Sequence, residues 1–366
     1  NYSFWVGLYY LSSYIHDIDA SNTIDGKPIH YWINHHNEIV PKSTNIGCIV
    51  IVNSSKITVK DLILRNNLFG LILAFTTESV IENVTLDGCG MDMDHSYSNV
   101  ITENKAYNSY GAGISLVSSY DNTVSYNTVV NTTGSGIWLE DTHNNKIIGN
   151  NVANTRGVGP QEFDGGGILV DDSPSCEVTD NTLTNNDYGI VVGAFASSNN
   201  HILSNNLIRN TVGLILFEGI NNIVYHNNFR DNGHSVNTYH GTTNTLDGNY
   251  WSDYTGWDAN NDGIGDIPYT IDELNIDRYP LMSPYGSTPL PMYTLTITAS
   301  AGGTTNPSPE NYRHSKGQNI PVQAIPNTDY VLDHWELDGI NSGSTNPINV
   351  TMNSNHSLLA VFSVLT

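Results

Sequence analysis

The chain has 366 residues, with 36 Asp and Glu against 13 Lys and Arg, a formal net charge of −23. Such a surface repels nucleic acid, anionic membrane and polyanionic substrates. Charged residues make up only 13% of the chain, against about a quarter in an ordinary soluble domain; Asn, Thr, Ser, Gly and Tyr carry the polarity instead, a composition in the style of a secreted or cell-surface protein.

No stretch approaches the roughly 20 apolar residues of a membrane helix, so no transmembrane segment is expected. The chain starts at Asn1 without an initiator Met, which reads as a mature or trimmed form. Cys48, Cys89 and Cys176 are odd in number and form no C-x-x-C pair; they read as small buried side chains rather than a disulfide framework or a zinc site. N-x-S/T sequons at Asn1, Asn53, Asn83, Asn131, Asn349 and Asn355 are glycosylation candidates.

Residues 1–46, aromatic and His-containing, read as irregular first coils or a cap, which a solenoid end needs to cover its strand edges. From residue 47 a repeat sets in. Gly followed by an apolar residue recurs at 47, 70, 90, 113, 136, 167, 189 and 213, in steps of 23, 20, 23, 23, 31, 22 and 24. Fourteen residues after five of these Gly stand Asn104, Asn127, Asn150, Asn181 and Asn227; Asn83 comes one residue early and Asn205 two late. A period near 22 with Gly, β-branched residues and one Asn per coil predicts an all-β parallel β-helix over 47–237, right-handed by the general rule for parallel crossovers. The Asn row predicts a buried ladder, each amide bonding the next coil.

After the Gly, offsets 1 and 3 are apolar and point inward, so offsets 2 and 4 point out. The outward stack places Glu140 and Asp171 one rung apart, with Asp141 and Asp172 beside them and Asp92, Asp94 and His95 two rungs away. Stacked carboxylates raise one another's proton affinity or hold a cation. Glu140, Asp141, Asp171 and Asp172 are therefore the catalytic candidates, for glycoside hydrolysis with one protonated and one ionised carboxyl; a second calcium site and a solvated acidic edge are the alternatives. A polyuronate lyase needs cations to neutralise its substrate, and the Lys and Arg of these coils are scattered. The other outward row, Ile72, Trp138, Leu169, Val191 and Ile215 with Phe217, is apolar and is expected to be covered by the N-terminal segment, the C-terminal module or another copy.

Residues 238–283 read as a C-terminal cap. Within them Asp258, Asn260, Asp262, the Ile264 carbonyl and Asp266 have the spacing of the first nine positions of a calcium loop. Tyr269 stands where such a loop has its Glu, leaving Asp272 or Glu273 to complete a structural calcium site. Residues 284–292 read as a linker, and 293–366, with the alternating run from Tyr293, as a small all-β module.

The Asn-rich coils, the segment His16 to His30, the run Gly248-Asn-Tyr-Trp-Ser-Asp253 and the stretch Asp277-Arg-Tyr-Pro-Leu-Met282 resemble archaeal NosD-like proteins, surface β-helices of the carbohydrate-binding and sugar-hydrolase superfamily. Thr304-Thr-Asn-Pro307 and His334-Trp335 resemble the divergent B-repeat modules of microbial surface proteins. The resemblance implies an extracellular setting, and through the family's namesake a role in copper insertion; His16, His30, His35 and His36 match no copper-ligand spacing. Two readings follow. The first is a non-catalytic structural or adhesive rod, contacting itself, other surface proteins or glycans. The second is a carbohydrate-active enzyme (hydrolase, lyase or epimerase) using the acidic cluster. The first is favoured, because no complete catalytic set with a positioned base is visible.

Overall fold

Four residues in each coil sit at sharp bends, and they explain the architecture. In the coil of Gly113 these are Ser118, Asp121, Tyr126 and Asn131, all in the left-handed region, where Asn and Asp are tolerated better than most residues. Each is followed by a buried polar residue: Ser119, Asn122, Asn127 and Thr132. Short strands run between these corners.

The structure is a computed structural model and describes residues 4, 6–7, 10–43, 45–157, 164–194, 196–240, 243–287 and 292–365. It has two units, 1–286 and 287–366. The division falls inside the stretch read as a linker.

Unit 1 is a parallel β-solenoid of three sheets with 11, 8 and 9 described strands. Its longest sheet runs from Thr23–Ile24 to His234–Tyr239. The repeat is in register: Ile114, Ile137, Ile168, Ile190 and Leu214 pair in succession. Their side chains point inward with Leu116, Leu139, Val170, Val192 and Leu216, and all are buried in one core with residues of the other two sheets. Each such side chain contributes about 2 kcal/mol by leaving water.

The Asn row forms a ladder. Asn127 Oδ1 accepts the Asn104 backbone N–H at 2.9 Å and its Nδ2 at 3.0 Å. The pattern repeats through Asn150, Asn181, Asn205, Asn227 and Asn249, and ends on Asp277. Asn205 keeps its place because its coil has two extra residues between Ala194 and Ser197.

Asn83 is a correction. It is the exposed left-handed bend residue, donating to Asp61 Oδ1, and Val84 occupies the buried ladder position, its N–H on Asn104 Oδ1. An apolar side chain at that corner ends the ladder in this direction.

Unit 2 has a five-stranded and a three-stranded sheet. The alternating strand Met292–Ala299 turns Leu295 and Ile297 into a core with Val322, Trp335 and Leu358, and Trp335 Nε1 donates to the Thr345 carbonyl.

Candidate functional site

The outward face of the longest sheet divides into three zones. The first lies under the N-terminal segment. A short 3-10 turn, Leu11–Tyr14, brings Leu11, Tyr14 and Ile18 onto Val50, Val52, Ile72 and Ala74. Ile72 is fully buried there and offers no surface to another molecule.

The third zone is the apolar row itself. Leu169 is 8% exposed, Val191 0% and Ile215 1%; they form a closed cluster with Val212, against which Trp138, Tyr188 and Phe217 pack. Of the covers expected for this row, the N-terminal segment lies over Ile72, while Leu169, Val191 and Ile215 are closed in by Trp138, Tyr188 and Phe217. The indole Nε1 of Trp138 is buried and has no hydrogen-bond partner among the described residues.

Between these zones lies a window of carboxyls. Register places Asp94, Val117, Glu140 and Asp171 on successive rungs; Asp92, Ser115 and Trp138 form the row beside them. Asp94 is buried beneath Tyr14, whose hydroxyl donates to its Oδ2. Asp94 Oδ1 lies 2.5 Å from His95 Nδ1, and the His95 ring stacks on Phe75 at 4.8 Å. Asp92 accepts the Ser115 hydroxyl at 2.5 Å. Burial, with the charges of Asp94 and Glu140 adding to it, pushes the Asp92 carboxyl up to about 6 against the opposing Ser115 bond.

Glu140 and Asp171 are half-buried neighbours, as their spacing indicated. Burial raises the Glu140 carboxyl, and Asp171, Asp141 and Asp172 raise it further; Asp171 is raised by burial and by Asp172. Asp141 and Asp172 are exposed at the bend, accepting Ser118 Oγ and the Ala196 N–H, each at 3.4 Å. The Lys and Arg ion pairs among the described residues fall elsewhere, on Asp61, Glu78, Asp87, Asp187 and Asp247. Among the described residues the window therefore offers acceptor oxygens and no Lys or Arg ion pair.

Beside it Tyr97, Tyr120 and His143 stack at 5.0 and 4.9 Å with nearly parallel rings. Their faces are used on one another, so this ladder presents edges to solvent.

The remaining candidates lie apart. In the 258–266 loop the carboxylates accept the loop's own N–H groups: Asp258 from Asp262 and Gly263, Asp262 from Ile264, and Asp266 from Ala259. The Asn260 side chain is hydrogen-bonded to Asp262. Asp272 is held by Thr238 and Asn275. His16 packs on Tyr31, His35 on Trp32 and Glu38, and His36 on Ser55. Asn53, Asn83, Asn131, Asn349 and Asn355 are exposed, and Asn1 lies outside the described residues.

No three His, Cys, Asp or Glu side chains converge on a metal-sized point among the described residues. The three thiols are buried, and burial pushes Cys48 and Cys89 up to about 12 and Cys176 to about 11, away from the thiolate form that binds metal. The described residues do not fit a copper centre.

Comparison with known proteins gives three partial matches. Residues 47–196 match the right-handed beta helix region, 161–256 the periplasmic copper-binding protein NosD family, and 293–365 the divergent InlB B-repeat domain. A 31-residue stretch is 68% identical to the probable ABC transporter binding protein NosD of Stutzerimonas stutzeri, and one of the same length is 58% identical to that of Pseudomonas aeruginosa. Each covers 8% of this chain and 7% of the relative. Among solved structures, a lacto-N-biosidase from Eubacterium ramulus matches at TM-score 0.46 and 10% identity, over 60% of this chain and 44% of that one. An alginate lyase from Paenibacillus sp. matches at 0.44 and 13%, over 59% and 94%. Likenesses this loose carry no argument about activity. The fold and the family matches agree on a parallel β-helix, similar over residues 161–256 to the NosD family, followed by a module similar over 293–365 to the divergent B-repeat domain.

Proposed function

We propose that the chain works outside the cytoplasm as a structural and adhesive rod, contacting hydroxyl-rich surface polymers or neighbouring surface proteins without breaking bonds. The observation that carries this reading is the set of buried hydrogen-bonded ladders. Beside the Asn104–Asn249 row, a second runs through Asn99, Asn122 and Asn145 and again through Asn200, Asn222 and Asn244. A third joins Thr155, Asn186, Asn210 and Asn232, and Ser and Thr hydroxyls tie a fourth corner. Asn200 Nδ2 and Asn244 Nδ2 have no partner among the described residues; the bonds that the other members make across the coils hold them in one rigid arrangement. The family matches to periplasmic proteins and to a B-repeat domain support the location. With the apolar row closed, contact falls on the carboxyl window, whose oxygens accept hydrogen bonds from neutral hydroxyls.

The raised pair Glu140 and Asp171 favours a second reading, a carbohydrate-active enzyme. One experiment decides between them. Purified chain is incubated with a panel of neutral and acidic polysaccharides, and both co-sedimentation and new reducing or unsaturated ends are measured. The adhesive reading expects binding to a neutral polymer with no new ends. Ends released by the wild type and lost in Glu140→Gln would establish the enzyme instead.

Calcium at the 258–266 loop belongs to the same proposal, as a clamp at the C-terminal end of the rod. Its ligands would be the Asp258, Asn260, Asp262 and Asp266 side chains with the Ile264 carbonyl, once the carboxylates turn from their N–H partners.

A further inference from the structure

Past its cap the chain doubles back along the solenoid before the linker begins. Leu281 pairs alongside Tyr250, its N–H on the Asn249 carbonyl at 2.8 Å, and Tyr250 pairs in turn with Asn228. Four residues later the chain is at Asn228 itself. Tyr285 donates its N–H to Asn228 Oδ1 at 2.6 Å, and its carbonyl accepts Asn228 Nδ2 at 3.2 Å. The carboxamide thus pairs with the Tyr285 backbone as a neighbouring strand would. Asn228 is only 4% exposed, and its Nδ2 also donates to Asn206 Oδ1 at 2.9 Å, which fixes the amide from the other side. The ring completes the hold. Tyr285 stacks on His226 with centroids 3.7 Å apart, and Tyr225 stacks on the opposite face at 3.6 Å. Gly248 makes room for this sandwich, since a Cβ there would lie 2.6 Å from the Tyr225 ring.

Behind this contact lie the bonds that close the solenoid. Asp277 is fully buried, and its two oxygens accept the N–H groups of Gly248, Asn249 and Tyr279 and the indole N–H of Trp251. The Pro280 carbonyl accepts the Gly265 N–H at 2.8 Å, and the Met282 N–H reaches the Gly263 carbonyl at 3.0 Å. Residues 280–282 therefore join the last coil to the 258–266 loop, with Leu281 bridged to Tyr250 on one side and to Ile264 on the other.

We propose that Tyr285 is a clip that sets where the linker leaves the solenoid and shields the cap behind it from fraying or pull. With the clip closed, the free linker begins after Tyr285. With it open, the next backbone bond toward the cap is that of Met282. Opening adds about three residues, roughly 10 Å of reach, and passes any load on the linker to the Met282 and Leu281 bonds. The clip is built from the side chains of residues 225–228 and the backbone and ring of Tyr285, and it needs no ligand. A rod that binds no polymer leaves it standing, and the reverse also holds.

Residue-resolved hydrogen exchange on the intact chain tests this. In the wild type the Tyr285 amide is protected at least about tenfold over its intrinsic rate, although it lies in the stretch read as a linker. Tyr285→Ala, which touches no ladder residue, loses most of that protection with the ring. Asn228→Ala loses it with the acceptor and the donor. Asn228→Asp keeps an acceptor for the N–H but cannot donate to the carbonyl, and falls between the wild type and Asn228→Ala. In both Ala variants the Met282 amide exchanges several-fold faster, while the Asn227 amide, bonded within the ladder, keeps its protection. Should Asn228→Ala disturb Asn227, Tyr285→Ala decides alone. A wild-type Tyr285 amide at the intrinsic rate, or protection unchanged in the Ala variants, overturns the clip. A Met282 amide that exchanges no faster once Tyr285 is free overturns the shielding.

Discussion

Asn127 accepts two hydrogen bonds from Asn104 with one oxygen, while its own Nδ2 reaches back to the Ile101 carbonyl and forward to Asn150. The side chain thus serves three coils at once, in a place no water reaches. Replacing it by Ala leaves the Asn104 N–H and amide without their acceptor, at about 1–3 kcal/mol for each buried group. Asn127→Ala is expected to lower unfolding stability by roughly 3–5 kcal/mol in a denaturant titration. Asn83→Ala, at an exposed bend, should cost under about 1 kcal/mol. Equal losses at the two positions would contradict the distinction drawn between them.

The ladder was legible because its Asn recurs fourteen residues after a Gly in five coils. Its neighbour at offset nine, with Asn99, Asn122, Asn145 and Asn222, repeats as clearly, but Cys176 interrupts it and the longer coil displaces Asn200. Asn83 was misplaced because a bend Asn and a ladder Asn look alike in sequence; only the Val84 that follows shows which corner is filled. The pairing of Glu140 with Asp171 followed from the rung spacing alone. The Tyr14 contact with Asp94 did not, since nothing periodic links a cap to a coil 80 residues on. Asp94 and His95 were placed on the right rung, yet their hydrogen bond and the phenol above them are tertiary facts.

The recurrent Gly is explained by space. A Cβ on Gly136 would lie 2.3 Å from Val152 Cγ1 and 2.6 Å from the Gly167 carbonyl oxygen. One neighbour is backbone of the next rung, which cannot yield without breaking sheet pairing. Gly136→Ala should therefore cost at least about 1–3 kcal/mol, as overpacked cores do. Gly286→Ala has open space but a left-handed backbone, with φ of 76°, and should cost about 1 kcal/mol through conformation alone. Thermal melts of both variants check the order.

The raised carboxyls in the window make stability depend on pH in a fixed direction. Glu140 and Asp171 bind protons more tightly folded than unfolded. Their contribution is full below the unfolded carboxylate range and is lost as pH rises through the raised folded values. Glu140→Gln removes one of these groups and relieves Asp171 of a like charge. The variant should match the wild type in melting temperature near pH 4 and exceed it near pH 7. A variant less stable than the wild type at pH 7 would mean that the Glu140 carboxylate makes a favourable contact that outweighs its repulsion.

Calcium is tested by separating what the 258–266 loop does alone from what an ion adds. Asp258 and Asp262 accept backbone N–H groups of their own turn, so Asp262→Ala should destabilise the loop whether or not an ion binds, and mutation alone decides nothing. Chelation removes the ion and returns the carboxylates to those bonds without changing the sequence. If the loop holds calcium in the folded state and not in the unfolded chain, stability should rise by RT ln(1 + [L]/Kd), about 2.7 kcal/mol at a hundredfold excess over Kd, and the melting temperature with it. A chelator should reverse that rise. Asp262→Ala should then melt at one temperature with or without calcium, while the wild type does not. A wild-type melting temperature unchanged between chelator and millimolar calcium would leave the loop as a hydrogen-bonded turn, with its carboxylates satisfied by the backbone they already hold.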